Sequence, residues 1–286
     1  MTAPSPLPLL LIEPLVRAAL LEDLGSSGDI TTDSVVPAGT VARARLVARA
    51  GGTIAGLDLV RTAFRLVDPG LRLVFFAADG ARVEPGTTLA TLEGAARAIL
   101  IGERVALNFL GHLSGIATAT AACVHAAAGT RAEICCTRKT TPGLRGLQKY
   151  AVRAGGGSNH RFGLSDAVLI KDNHIAVAGG IAPAVERARA GAGHMVKIEV
   201  EIDRLDQLDE ALRARADVIM LDNMSLADMR SAVEHVAGRA LLEASGGITE
   251  ARVAEIAATG VDLISIGWIT HSAPNLDVAL DIDTAL

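Results

Sequence analysis

The second half of this chain alternates short aliphatic runs with amphipathic helical segments, and that alternation restricts the folds open to it. Six runs have the length and composition of buried strands: 132–136, 167–170, 196–200, 217–221, 240–244 and 262–266. Between several of them lie segments with helical spacing, such as 205–214, 226–236 and 250–258. Strands buried on both faces and alternating with helices make a parallel α/β fold. A barrel and a doubly wound sheet both satisfy the alternation. The residues just after each run separate the two: Thr137-Arg138-Lys139, Lys171-Asp172-Asn173-His174, Glu201, Asp222-Asn223, Ser245-Gly246-Gly247 and Gly267. A barrel builds its site from the C-terminal ends of successive strands, whereas an open sheet does so only near its switch point. The pattern therefore predicts a barrel.

The first half reads differently. Residues 13–24 predict a short helix with Pro14 in its first turn, and 25–29 a loop. Residues 41–93 predict a β-rich segment, with strands at 41–48 and 71–76. Turn signals at Asp79-Gly80 and Pro85-Gly86 flank Ala81-Arg82-Val83. This hairpin has the form of modules that carry biotin or lipoate, but neither turn holds a lysine, which excludes a carrier role. A helical stretch comes next, over 95–128, with a break expected at Gly111 or Ser114-Gly115. The domain boundary is expected there, giving 1–114 and 115–286, with the last residues free to return to the first domain.

Charge narrows the function. The chain has 27 Lys and Arg against 32 Asp and Glu, a net charge of −5 at pH 7. Between Arg138 and His174, however, stand seven cations (138, 139, 145, 149, 153, 161, 171) and only two acids, Asp166 and Asp172. That stretch is +5 and the remainder −10 by subtraction. Its cations are interleaved with Gly155-Gly156-Gly157, histidines and asparagines, and Lys171 directly follows an aliphatic run. A solvated basic face is the ordinary reading of a charge run; this context favours a pocket for a small polyanion. The acidic balance argues against duplex DNA and anionic membranes. Aromatics are 2% of residues, too few for the stacking platforms of single-stranded nucleic-acid binders. The Leu9-Leu10-Leu11-Ile12 run lacks a preceding cation and meets Glu13-Pro14 at once, unlike a signal peptide. No apolar stretch is expected to reach the roughly 20 residues of a membrane span. Cys123, Cys135 and Cys136 have no metal-ligand spacing. Buried reduced thiols, on alternate strand faces for the adjacent pair, fit a cytoplasmic protein.

Four kinds of group converge on the predicted barrel rim. Arg138, Lys139, Arg161 and Lys171 supply cations, with His160 and His174 nearby; guanidinium forks suit carboxylates and lysines suit phosphates. Glu201 and Asp222 end successive strands, and oxygen-only ligands suit Mg²⁺ shared with substrate phosphates. For either residue alone, a structural carboxylate paired with a rim cation is an equal reading. Ser245-Gly246-Gly247 and Gly267 follow the last visible strands, where a barrel grips phosphate with backbone N–H groups; without that position an ordinary turn would be preferred. His271 either caps that site or satisfies a local carbonyl. There is no Ser/His/Asp constellation, no exposed thiolate and no Walker pattern. Gly155-Gly156-Gly157 is not a dinucleotide fingerprint. Cations with a divalent metal imply transfer between anionic substrates, driven by electrostatics.

These motifs closely resemble the quinolinate phosphoribosyltransferase family. The likeness lies in Thr137-Arg138-Lys139-Thr140-Thr141-Pro142-Gly143-Leu144-Arg145, Lys149-Tyr150-Ala151-Val152, Gly155 through Arg161 and Leu169 through His174. It extends to Glu22-Asp23, Gly28-Asp29, Glu103-Arg104, Leu107-Asn108, Ser114 through Thr118, Glu199-Val200-Glu201, Leu221-Asp222-Asn223, Ser245-Gly246-Gly247 and Gly260-Val261-Asp262. The resemblance implies an N-terminal α/β sandwich and an incomplete, seven-stranded parallel α/β barrel. It implies a homodimer with shared active sites, in which the first domain of one subunit covers the barrel mouth of the other. It implies that Arg138, His160 and Arg161 bind quinolinate, with Arg104 entering from the partner subunit. Lys139 and Lys171 meet substrate carboxylate or phosphate, and Glu201 and Asp222 address the ribose and Mg²⁺. Ser245, Gly246, Gly267 and His271 surround the 5-phosphate of phosphoribosyl pyrophosphate. The reaction implied makes nicotinate mononucleotide, pyrophosphate and CO₂ on the route to NAD. Cys136, Arg49-Ala50 and Trp268 depart from the family pattern without removing a substrate-binding cation. A related branch associated with molybdate transport is disfavoured by Lys171-Asp172-Asn173-His174. A nicotinate phosphoribosyltransferase would need one carboxylate clamp, and the arginines here suit two. A non-catalytic anion-binding barrel is disfavoured by the paired acids, which repel anions.

Overall fold

A computed structural model describes residues 4–283. Two compact units emerge: one comprises the chain up to Ala121 with Gly146–Gly156 and the residues from Ser272 onward, the other Ala122–Arg145 and Gly157–His271.

The first unit holds a four-stranded antiparallel sheet. Its strands are β1 (Val41–Ala48), β3 (Arg72–Phe75), β5 (Thr88–Ala95) and β12 (Val278–Asp283), in the order β12-β1-β5-β3. The alternation read in 41–48 becomes an inward row of Ala42, Ala44 and Leu46, all buried. The turn-flanked segment forms β4 (Arg82–Val83), but it pairs with β2 (Gly52–Thr53) instead of closing a hairpin with its neighbours. Within this β-rich region sits a helix, Leu57–Val67, that sequence reading missed. Its buried Leu59, Val60, Ala63 and Phe64 make one apolar stripe.

The first helix is Leu9–Leu24, four residues earlier than expected, so Pro14 lies beyond the first turn. Burial explains the extension: Ile12, Val16 and Leu20 form an i, i+4 row, and Ile12 is part of it. A further helix, Ile30–Val35, comes after the loop, capped by Asp29, whose Oδ1 accepts from Thr32 N–H at 2.9 Å.

The long helix Ala96–Ala126 is unbroken at Gly111 and at Ser114-Gly115. These glycines admit close neighbours. A Cβ on Gly115 would lie 2.1 Å from the Pro274 carbonyl oxygen, and one on Gly111 3.0 Å from that of Leu276. Gly155 serves the same end, since its Cβ would lie 2.4 Å from the Ala117 carbonyl oxygen. Gly115→Ala is expected to lower stability by about 1–3 kcal/mol through overpacking, read as an earlier urea midpoint. An unchanged midpoint would mean that the 272–276 segment does not press on this helix. By length and composition this helix could cross a membrane, contrary to expectation. Its Ile99, Leu110, Leu113 and Ile116 are nevertheless fully buried, as in the central helix of a packed domain.

The second unit is the parallel barrel portion. Its strands are β6 (Glu133–Cys135), β7 (Val168–Ile170), β8 (Ile198–Ile202), β9 (Val218–Asp222), β10 (Leu241–Ser245) and β11 (Leu263–Ser265). They are all parallel, in the order β6-β11-β10-β9-β8-β7. Each falls within two residues of an aliphatic run identified in the sequence. Among the described residues, a seventh position is reached only through an isolated parallel bridge between Cys135 and Ser158. Cys123, Cys135 and Cys136 are buried and form no disulfide.

Candidate active site

The pleat of the parallel strands sorts side chains into two sets. Along β8, Ile198, Val200 and Ile202 are buried on one face, so Glu199 and Glu201 share the other. The same period places Glu243 with Ser245 on β10 and Met220 with Asp222 on β9. Parallel direction then gathers all C-terminal ends at one edge. There a cavity of about 840 Å³ opens. Its lining includes Arg138, Lys139, His160, Arg161, Lys171, Glu201, Asp222, Ser245, Gly246, Gly267 and His271, every one of the candidates taken from this half. Arg104 lies on the long helix of the first unit, with its guanidinium 4.0 Å from Glu103.

The arginines are the most telling pair. The Nε atoms of both Arg138 and Arg161 are buried and have no hydrogen-bond partner among the described residues. One Arg161 Nη donates to the Ala167 carbonyl at 3.2 Å. Burial, then the nearby Arg138 charge, pushes the Arg161 guanidinium below its usual basicity. Two like charges with unsatisfied donors in one cavity are costly unless an anion completes them.

On the opposite side of the charge balance, Lys171 Nζ lies 2.9 Å from Glu201 Oε2. Asp222 accepts from the Asn223 amide at 2.9 Å. Both residues line the cavity, and their carboxylates retain further oxygen lone pairs, a donor set suited to a hard divalent cation.

The glycine loop after β10 is built by conformation. Gly246 has φ +97 and Gly247 φ +56, and Asn223 beside them also has positive φ, at 55. A Cβ on Gly246 would meet Asn223 Oδ1 at 2.3 Å. Gly267 packs against Lys139 and His271, which a Cβ there would approach to 3.0 and 3.4 Å. Trp268 closes the same wall, its indole N–H donating to the Ile248 carbonyl at 3.1 Å.

Not every motif residue enters the cavity. Arg145 donates to Thr140 and to the Phe162 carbonyl, and Arg153 to the Ser5 carbonyl. Lys149 is buried in the first unit. There, too, Tyr150 donates to Asp79 at 2.6 Å, and Asp79 also accepts from the N–H groups of Gly56 and Leu57. His174 does not line the cavity; its Nδ1 accepts from the Lys171 N–H at 2.9 Å.

Two functional-site residues went unassigned in the sequence. Glu199 and Glu243 sit one layer beneath the rim, two residues before Glu201 and Ser245. His160 Nε2 lies 2.9 Å from Glu199 Oε2 and 3.6 Å from Glu243 Oε1. Their alternation with the assigned residues was the available signal. Burial, then the Glu199 charge, raises the Glu243 carboxyl to about 7. The donor atoms of the three residues fall within 4.8 Å of one another, a spacing a metal ion could use. The histidine argues otherwise: its Nδ1 accepts from the Arg161 N–H at 2.8 Å, so Nε2 carries the ring proton and is not a free ligand.

A carboxyl whose folded value is raised above its unfolded one adds stability that is complete below the unfolded value and is lost as pH rises through the folded one. Glu243→Gln is therefore expected to gain stability over the wild type as pH climbs from about 4.5 to about 7. The gain is on the order of a few kcal/mol. Urea titrations at both ends of the window test it, and a constant difference would refute it.

Comparison with known proteins gives a consistent answer. The family model described as quinolinate phosphoribosyl transferase, C-terminal domain, matches residues 116–281, and the N-terminal domain model matches 29–114. A nicotinate-nucleotide pyrophosphorylase (carboxylating) of Mycobacterium leprae is 48% identical over 273 residues, covering 93% of this chain and 95% of the relative. A probable enzyme of the same name from Bacillus subtilis is 45% identical over 271 residues, covering 95% and 93%. The solved nicotinate-nucleotide pyrophosphorylase of Francisella tularensis superposes with a TM-score of 0.94 at 39% identity, covering 97% of this chain and 98% of that one. With both domain models matched in order along nearly the whole chain, this protein belongs to the quinolinate phosphoribosyltransferase family.

Proposed function

We propose that this chain transfers the phosphoribosyl group of phosphoribosyl pyrophosphate to quinolinate with loss of CO₂, yielding nicotinate mononucleotide for NAD synthesis. The observation that carries this reading is the pair of buried, unpartnered guanidinium donors on Arg138 and Arg161. A planar dicarboxylate supplies two forked acceptors, and each charge-assisted bond contributes about 1.5–3 kcal/mol. His160 backs this clamp. Lys139 and Lys171 neutralise the phosphates and remaining carboxylate charge.

Glu201 and Asp222 face the sugar. As the C1–oxygen bond to pyrophosphate breaks, positive charge grows on C1 and the ring oxygen, and these carboxylates stabilise it electrostatically. The same two residues would hold Mg²⁺, which when bound neutralises charge on the leaving pyrophosphate. The pyridine nitrogen attacks C1 and becomes cationic. When the C2–carboxylate bond breaks and CO₂ leaves, the bonding pair stays on C2, where the adjacent cationic nitrogen stabilises it, and that pair then takes up a proton. The Ser245-Gly246-Gly247 loop, Gly267 and His271 hold the 5-phosphate.

Incubation with quinolinate, phosphoribosyl pyrophosphate and Mg²⁺ should release mononucleotide and CO₂ in equal amounts. No turnover, with binding retained, would favour an anion-binding protein. Assembly is proposed as a cytoplasmic homodimer in which Arg104 completes the partner's site. Mixing Arg104→Ala with Lys171→Ala subunits should then recover activity, because each heterodimer contains one intact site. No recovery, with heterodimers demonstrated by mass spectrometry, would place Arg104 within its own subunit.

A further inference from the structure

Two buried acids beneath an anion-binding clamp need a reason. Side-chain exposure is 9% for Glu199, 2% for Glu243 and 11% for His160. Burying such groups is unfavourable unless they are paired and hydrogen-bonded. Replacing a buried charged cluster by apolar side chains is often neutral or stabilising for a fold, so stability alone does not account for the cluster.

Its connectivity points upward to the clamp. Glu243 and Glu199 lie beside the same ring nitrogen of His160, at 3.6 and 2.9 Å, with donor atoms within 4.8 Å of one another. Glu199 accepts the Nε2 proton of His160. The opposite ring nitrogen accepts the Arg161 main-chain N–H. An acceptor at one end of the imidazole and a donor at the other define a single tautomer and ring orientation. They also anchor the main chain of the residue whose guanidinium lies in the cavity.

We propose that Glu199, braced by Glu243, is a positioning residue for the acceptor substrate. It holds His160 as the Nε2–H tautomer, and His160 in turn holds Arg161 in its clamping position. Glu199 does not line the cavity, whereas Glu243 reaches its wall from beneath. The inference rests on the reading of Arg138 and Arg161 as the dicarboxylate clamp.

Two measurements test it. In wild-type protein without substrate, ¹⁵N-histidine NMR should show His160 with a protonated Nε2 and an unprotonated Nδ1. The opposite tautomer, or a doubly protonated ring near neutral pH, would overturn the proposal without bearing on activity. Kinetically, Glu199→Leu should raise KM for quinolinate roughly tenfold or more while KM for phosphoribosyl pyrophosphate stays within about twofold. Glu199→Gln should regain most of that loss, because its amide oxygen still accepts from Nε2. A general structural role predicts both KM values rising together, and that outcome, or an unchanged quinolinate KM, would sink the inference. Should Glu199→Leu fail to fold, the Glu199→Gln kinetics and the NMR assignment still decide it. A wild-type protein that does not turn over quinolinate would instead defeat the functional reading, leaving the tautomer result to stand by itself.

Discussion

Arg138→Lys is expected to cut kcat/KM for quinolinate by roughly 10- to 150-fold. That range corresponds to losing one arm of a forked, charge-assisted contact, about 1.5–3 kcal/mol. Lysine keeps the charge but offers a single ammonium in place of a planar fork. It also lacks the buried Nε donor that has no hydrogen-bond partner among the described residues in Arg138. The loss should appear mainly in KM for the dicarboxylate if the contact is made equally in ground and transition states. Arg161→Lys should behave alike, since it too keeps the charge and loses the fork and the buried Nε donor. Wild-type kinetics from either variant would remove that arginine from the clamp.

Gly246→Ala should have a comparable effect by a different route. At φ +97, an alanine carries a backbone cost of about 1–3 kcal/mol. The new methyl would also sit 2.3 Å from Asn223 Oδ1. The Asn223 amide would have to swing aside, giving up its 2.9 Å hydrogen bond to Asp222, while its main chain stays held by the N–H bond to the Ser245 carbonyl at 2.9 Å. The strained φ and the displaced amide together disturb the loop and Asp222, both of which line the cavity. Expected results are a stability loss on the order of 2–4 kcal/mol and a KM for phosphoribosyl pyrophosphate raised at least tenfold. A quinolinate KM disturbed more than the donor's would move the phosphate loop elsewhere.

Much of the architecture was legible in the residues. The six aliphatic runs matched β6 to β11 because at least one face of each strand is packed with aliphatic side chains, even where β8 and β10 turn Glu199, Glu201 and Glu243 to the other. The elements missed were those whose identity depends on packing. Leu57–Val67 is the exception: its helical period, with Asp58, Arg61 and Arg65 between the apolar positions, is present in the residues but lies among strands that drew the reading to β. The helix start at Leu9 was hidden by Pro14, whose local meaning suggests a first turn. Gly111 and Gly115 read as helix breakers, yet each is a point of close approach to the 274–276 segment.

The rim could be grouped from sequence alone for a simple reason. In a parallel sheet every strand ends on the same edge, so polar residues just after the aliphatic runs must meet there. Arg138, Lys171, Glu201, Asp222 and Ser245 needed no coordinates to be brought together. Tertiary structure alone decided which cations of the basic stretch face the cavity and which serve elsewhere, as Arg145, Lys149 and Arg153 do. It alone brought Glu199 and Glu243 against His160, because sequence period gives the face on which a side chain points but not what lies across the barrel from it.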